Sequence, residues 1–258
     1  MEHRRLEKAI GKYLNTKWIT NEGYEVEIIE YYDSSNCTIR FNTSYETIKY
    51  KVTIQNLKKG KIKYPYHPSV YCLGFIGEGV YKPSINRKDT KVYKYWSSML
   101  QRSGNGKVAK KHPTYKDVTV CEEWCNFQNF AKWYDENYKE YMSGWHLDKD
   151  ILVKRNKIYS SETCCFVPQE INTLFVKNNS TRGECPIGVS KHGMGYQADL
   201  CVGKYRRYLG TFATIEEAFI VYKTAKELWI KNVANKWKSL IELRVYQTMY
   251  NYKVEIND

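Results

Sequence analysis

The residues with the clearest chemical potential lie between Trp145 and Asn172, where an imidazole and several hard oxygen donors are closely spaced. The His146 imidazole can accept a proton from water. Asp148 and Asp150 are ligands of the kind that magnesium prefers. The pattern indicates a strand, a turn and a short helix, in that order. The alternative interpretation is an ordinary histidine at a strand end, followed by an exposed ionic run.

This segment resembles the HNH nuclease motif of the ββα-metal type, as found in phage homing endonucleases. The likeness rests on His146-Leu-Asp148, followed by Glu162-x-Cys-x-x-Val-Pro-x-x-x-Asn172. The resemblance implies that His146 is the general base that activates water. It also implies that Asn172 binds a divalent cation, magnesium or manganese, and that Asp148 either orients the hairpin or helps to bind the ion. The implied reaction is hydrolysis of phosphodiester bonds, in which the metal offsets charge on the phosphate while the base takes a proton from water.

Two positions depart from the HNH pattern. Trp145 stands where that family has a metal-binding Asp or His, and Tyr159 stands near the place of its central Asn. Asp148 or Asp150 could then substitute as the oxygen ligand.

Zinc is not expected. Cys121 and Cys125 are one helical turn apart, but a zinc site needs about four ligands and no matching CxxC pair follows. The eight cysteines are scattered through a long chain, which favours reduced thiols over a disulfide framework.

The elements near the C-terminus form a strand-rich stretch followed by a long helix. Tyr196–Val202 and Tyr205–Leu209 alternate apolar and polar residues, as strands with one buried face do. Thr214-Ile-Glu-Glu217 has the form of a capping box and predicts a helix start. One stripe of that helix can cover the sheet, through Ala218, Tyr222, Ala225, Trp229 and Val233.

This region resembles the Apetala-type DNA-binding domain of ethylene-response factors and phage homing endonucleases. The likeness rests on Gly188-Val189, Gln197-Ala-Asp-Leu200, Leu209-Gly-Thr-Phe212 and Glu216-Glu-Ala218. In that family a three-stranded sheet lies in the major groove, so the resemblance implies duplex DNA as the partner. The implied contact residues are Ser190, His192, Asp199, Cys201, Arg206 and Tyr208. The alternative is a small packed α+β unit with a solvated sheet face.

The net charge of the chain also favours a nucleic-acid partner. The net charge of +13 and a pI near 9.2 favour a polyanionic partner. We find no apolar run long enough to span a bilayer and no secretory signal at the first residues, so no membrane partner is expected. The expected location is intracellular, in the cytoplasm of a bacterial host cell.

The sequence therefore predicts an α+β protein in three parts. These are a small strand-rich β domain over residues 1–81, a divergent HNH-like domain over 82–176, and an Apetala-type domain with a C-terminal helical extension over 185–258. The expected function is DNA binding with metal-dependent endonuclease activity, as in phage homing endonucleases. The alternative is a catalytically inactive protein that binds nucleic acid or, through its N-terminal domain, a protein partner, in a regulatory or anti-defence role.

Overall fold

The computed structural model describes residues 2–104, 115–175, 184–203 and 205–256. The chain is mixed α+β, with 36% helix and 27% strand. It divides into two compact units, residues 1–105 with 122–131 and residues 106–121 with 132–258. The boundaries between the three parts expected from sequence stay a prediction.

The first unit is built on a four-stranded antiparallel sheet whose strands lie in sequence order. Its core forms because apolar residues alternate along two strands, so that Val26 pairs with Phe41 and Ile28 with Ile39 on the buried face. The helices here are α1 (Glu2–Tyr13) and α2 (Ile54–Lys58). The strands are β1 (Lys17–Ile19), β2 (Glu25–Asp33), β3 (Asn36–Phe41) and β4 (Thr47–Val52).

The remainder of the first unit packs around Trp96, which is fully buried. Its indole Nε1 donates to the Trp124 carbonyl at 2.7 Å, and its ring lies 5.3 Å from that of Phe127. The elements are the hairpin β5 (Ser84–Ile85) and β6 (Lys88–Asp89), then α3 (Lys91–Gly104), α4 (Glu122–Cys125) and the start of α5 (Phe127–Asn137), whose residues from 132 onward belong to the second unit.

The second unit begins with short paired strands around a buried Phe166, whose ring contacts those of Trp133, Tyr134 and Tyr138. One pair is parallel and the other is antiparallel. The elements are β7 (Thr119–Val120) with β9 (Ile158–Tyr159), β8 (His146–Asp148) with β10 (Cys165–Val167), a 3₁₀ turn at Glu140–Met142, and α6 (Gln169–Leu174).

The C-terminal part of this unit is an antiparallel sheet packed on a long helix. Thr214 and Glu217 form the expected capping box, which satisfies amides at the helix start. The shared core includes Ala198, Leu200 and Tyr222. The elements are β11 (Val189–His192), β12 (Gly195–Val202), β13 (Tyr205–Phe212), α7 (Ile215–Trp237) and α8 (Leu243–Tyr250).

Candidate functional site

The β11–β13 sheet has one face on α7 and a second face turned away from it, which we call the open face. Ala198 and Leu200 of β12 are in the core, so the residues that alternate with them lie on the opposite side. Cross-strand pairing extends this face over three strands. The pairs are Ser190 with Gln197, Gln197 with Thr211, Asp199 with Tyr208, and Cys201 with Arg206.

Asp199 organises the centre of the open face. Its Oδ2 accepts from Arg206 Nη2 at 2.5 Å and from Gln197 Nε2 at 2.8 Å. Burial alone would raise the pKa of the Asp199 carboxyl, but the hydrogen bonds from Arg206 and Gln197 outweigh it and hold that pKa below its usual range. The carboxylate is 8% exposed, whereas the Arg206 side chain is 62% exposed. The buried Asp199 carboxylate thus fixes the position of the Arg206 guanidinium, most of which faces solvent.

Tyr208 lies beside this cluster, and β13 contains a bulge at the next residue. The register shifts between Ala198 and Asp199, so that Ala198 pairs with Gly210 and Asp199 pairs with Tyr208. Leu209 is the extra residue and packs against the core. Tyr208 is opposite Asp199 on the open face, and the bulge puts Thr211 on the same face, where its Oγ1 lies 3.0 Å from the Tyr208 hydroxyl.

The structure brings most of the sequence-predicted contact residues together. Ser190, Asp199, Arg206 and Tyr208 occupy neighbouring positions of one face. His192 is at the end of β11, opposite Gly195, and is exposed. Gln197 also lies on this face, although it is not among the sequence-predicted contact residues. Its hydrogen bond to Asp199 could not be predicted from the sequence spacing of the two residues alone.

The segment of the HNH-like pattern forms a strand pair followed by a helix. His146 is opposite Val167, and Asp148 is opposite Cys165. His146 and Asp148 share one side of β8, because side chains alternate along a strand, and Leu147 points into the core. His146 is exposed and Asp148 is half-buried.

Asn172 lies on α6, as the pattern predicts, and this helix packs against β8. Its side chain is half-buried. The three residues implied by the resemblance thus lie on two adjoining elements of the second unit.

The Asp148 carboxylate has a local structural role. Its Oδ1 accepts from the backbone amides of Asp150 and Ile151, each at 2.9 Å, and so fixes the turn after β8. Burial, followed by repulsion from Asp150, raises the pKa of Asp148 to about 6. Such a carboxyl changes its charge close to neutral pH.

The turn itself is not an exposed ionic run. Lys149 is 8% exposed, with its Nζ 3.0 Å from Asp150 Oδ2 and 3.1 Å from the Asn156 carbonyl. Asn156 closes the loop by donating to the carbonyls of Lys149 and Ile158 at 2.7 and 2.6 Å. That alternative from the sequence is therefore wrong for Lys149. The sequence predicted a turn here but not this role of Asn156.

Trp145, the residue before His146, is buried in the second unit. It is 7% exposed, and its ring meets that of Trp237 edge to face at 6.0 Å. Glu170 of α6 holds Trp237 in place: its Oε2 accepts from Trp237 Nε1 at 2.8 Å and from Lys236 Nζ at 2.6 Å. Trp145 is a packing residue here.

The oxygen donors suit a magnesium-like ion in type but are few. Asp148 Oδ1 is occupied by two amides, and Asp150 is paired with Lys149. Across the ranges that the structure describes, no three His, Cys, Asp or Glu side chains come together as a metal-binding group. Magnesium commonly binds through one or two carboxylates plus water. The donors present, Asp148 and the Asn172 amide oxygen, fit that mode.

Comparison of the chain with protein-family models, curated proteins and solved structures found no match. Within the described residues, no helix has the length and apolar character needed to cross a membrane.

Proposed function

We propose that this protein binds duplex DNA through the open face of the β11–β13 sheet. The observation that supports the proposal best is the cluster of Arg206, Gln197 and Asp199 on the side of the sheet away from α7. Three adjacent strands span about 10 Å between the outer two. That width suits the major groove of B-DNA, which is about 12 Å wide.

Each side chain of the cluster has a role that follows from its bonding. Arg206 uses one Nη on Asp199, which leaves other N–H donors for a phosphate or for the guanine edge. Gln197 has an amide that suits adenine. Asp199 acts as a positioning residue, because it fixes the guanidinium before DNA arrives and reduces the entropy lost on binding.

The two adjacent arginines of β13 provide a matched test. Arg206 pairs with Cys201 on the open face, whereas Arg207 pairs with Leu200 on the helix side. Substitution by glutamine removes one charge in either case. We expect Arg206→Gln to weaken binding of a fluorescent duplex about five- to tenfold, the cost of losing one specific arginine contact. Arg207→Gln should change it by less than about twofold.

The comparison is read by fluorescence anisotropy at fixed ionic strength, with circular dichroism to check that both variants fold. Equal losses in the two variants would show that only overall charge matters and would contradict an interface on the open face. Absence of duplex binding by the unmodified chain would remove the proposal altogether.

A second candidate function is hydrolysis of phosphodiester bonds in the bound DNA. The observation that favours it is the placement of His146 and Asp148 on one side of β8, a strand that packs against the helix carrying Asn172. In this proposal the exposed imidazole accepts a proton from water as the oxygen attacks phosphorus. Asp148 and Asn172 would hold a divalent cation, which supplies positive charge beside the phosphate.

A plasmid-nicking assay with magnesium or manganese tests this step. We expect His146→Ala to lower the rate by about a hundredfold or more, the usual loss on removing a general base. Asn172→Ala should also lower it, and chelation should abolish nicking. Gln169→Ala is the control, since Gln169 is exposed on the same helix.

Nicking that survives both substitutions would move the active site elsewhere. If the unmodified chain binds duplex DNA but never nicks it, the protein fits the alternative of a nucleic-acid-binding protein that retains the endonuclease architecture without catalysis.

A further inference from the structure

A cleft of about 630 Å³ in the first unit is lined largely by aromatic rings. Two of its hydroxyls hold the rings in place: Tyr64 donates to the Tyr45 carbonyl at 3.1 Å, and the Tyr24 hydroxyl lies 3.1 Å from His67 Nδ1. Consecutive rings are 4.5 to 5.6 Å apart. We call this the tyrosine cleft, and its aromatic members are Tyr24, Tyr45, Tyr64, Tyr66 and Phe75.

The tyrosine cleft is acidic although the chain as a whole carries a net charge of +13. Glu122 and Glu123, in the first turn of α4, form part of its lining and are exposed. Within the described part of the chain, neither carboxylate has an ion-pair partner. The side-chain amides of Asn126 and Asn129 complete this wall.

Two further carboxylates, Glu22 and Glu78, act on tyrosines of the cleft. Burial and then the charge of Glu22 raise the pKa of Tyr24. Burial and then the charge of Glu78 raise the pKa of Tyr66. Burial lowers the pKa of the nearby Lys49 while the charges of Glu22 and Glu78 raise it, so the acidic residues favour a cation against the cost of burial.

The aromatic cluster already accepts an ammonium from within the chain. Lys49 Nζ lies 5.9 Å from the centroid of Phe41, whose ring is 4.9 Å from that of Tyr64. The same ammonium donates to the Lys63 carbonyl. Ring faces carry negative charge density and attract cations, most strongly where water is excluded.

We propose that the tyrosine cleft binds the ammonium group of a lysine side chain on a basic partner protein. The rings supply a preformed, partly desolvated surface for the methylene stem and ammonium. Glu122 and Glu123 supply the charge. This surface lies in the first unit, and the proposal does not depend on whether the β11–β13 sheet binds DNA.

The test uses the full chain and a short fluorescein-labelled glycine–lysine peptide, with a glycine–glutamate peptide for comparison. General electrostatics oppose this peptide, because the protein and probe are both cationic, so binding would arise from a local acidic site. We expect Tyr45→Ala to weaken binding about fivefold, as for loss of one cation–π contact. The double variant Glu122→Gln, Glu123→Gln should also weaken it and reduce its dependence on salt.

The matched control is Tyr50→Ala. Tyr50 is 70% exposed on β4 and is not part of the cleft, whereas Tyr45 is 59% exposed, so neither substitution disturbs the core. Unchanged binding in Tyr50→Ala supports the assignment. Equal loss in Tyr45→Ala and Tyr50→Ala would overturn it, as would failure of the intact chain to bind the peptide.

Base stacking is the competing use of such rings, and oligothymidylate tests it. If oligothymidylate affinity falls in Tyr45→Ala but not in Tyr50→Ala, and rises when the two glutamates are neutralised, the cleft binds nucleobases and the lysine proposal fails. Oligothymidylate binding that is the same in all these variants agrees with the proposal.

Discussion

Asp148 couples the pH of the solution to the stability of the second unit. Its pKa in the folded chain is raised to about 6 by burial and by Asp150, above the ordinary value of about 3.9. The folded state therefore holds this proton more tightly than the unfolded state does. Ionising Asp148 costs stability. The cost is absent below about pH 4, grows between about pH 4 and 6, and is complete above that range.

We expect Asp148→Asn to raise the free energy of unfolding by about 1–3 kcal/mol near pH 8 and to leave it nearly unchanged near pH 4. The asparagine oxygen can accept the same amide bonds from Asp150 and Ile151. Denaturant unfolding at the two pH values measures the difference, with Asp135→Asn as an exposed control in the same unit. A loss of stability near pH 8 would show that the ionised carboxylate is favourable where it lies.

Single residues show which features of the site can be predicted from the sequence. The spacing of His146, Asp148 and Asn172 predicted two elements that do pack together, because period-two and helical patterns are local properties. The burial of Lys149 was not predictable. It depends on the carbonyl of Asn156, seven residues away, and on the ring of Tyr159, 5.9 Å from its ammonium.

At the scale of elements, the end of β13 shows where a pattern fails. Strict alternation from Arg206 and Tyr208 would put Gly210 and Phe212 on the open face. The bulge at Leu209 reverses the order, so Phe212 packs in the core and Thr211 is exposed. A pattern of alternating apolar and polar residues cannot reveal this extra residue. The inserted Leu209 is apolar, like the residues that it joins in the core.

The residue before β11 is Gly188, and both its backbone conformation and the lack of space around it disfavour any side chain. Gly188 has φ +77, and a Cβ there would lie 2.1 Å from Tyr222 Cδ2 of α7. We expect Gly188→Ala to destabilise the second unit by about 2–4 kcal/mol, through backbone strain plus overpacking. Gly193 is the control, since it has φ +58 but open space around it, so Gly193→Ala should cost about 1 kcal/mol. Urea unfolding followed by tryptophan fluorescence measures both, and equal costs would contradict the steric argument.

At the scale of the whole molecule, the sequence predicted the mixture of helix and strand and the strongly basic charge. It did not indicate that residues 122–131 belong with the first unit. That placement depends on contacts between residues far apart in the chain. The Phe75 amide donates to the Cys125 carbonyl at 2.9 Å, and the Tyr81 amide donates to Gln128 Oε1 at 3.0 Å. Local periodicity carries no information on such pairings.

The net charge of +13 leads to a prediction for the intact chain. If several lysines and arginines neutralise phosphates, counterions are released, and duplex affinity should fall about a hundredfold or more between about 50 and 200 mM salt. Arg206→Gln should reduce the slope of log affinity against log salt by about one. A salt titration by fluorescence anisotropy measures both, and a flat dependence would contradict a phosphate-binding surface.

The bulge in β13 also has a consequence for how this strand can evolve. Removing Leu209 would restore a regular ladder in which Asp199 still opposes Tyr208 and Ala198 still opposes Gly210. A codon lost or gained at this point therefore changes the core filling but leaves the outward-facing side chains in place. Insertions and deletions in β13 should accordingly occur at Leu209. Arg206 and Tyr208 can then change by substitution alone, without a shift in the pairing register of the strand.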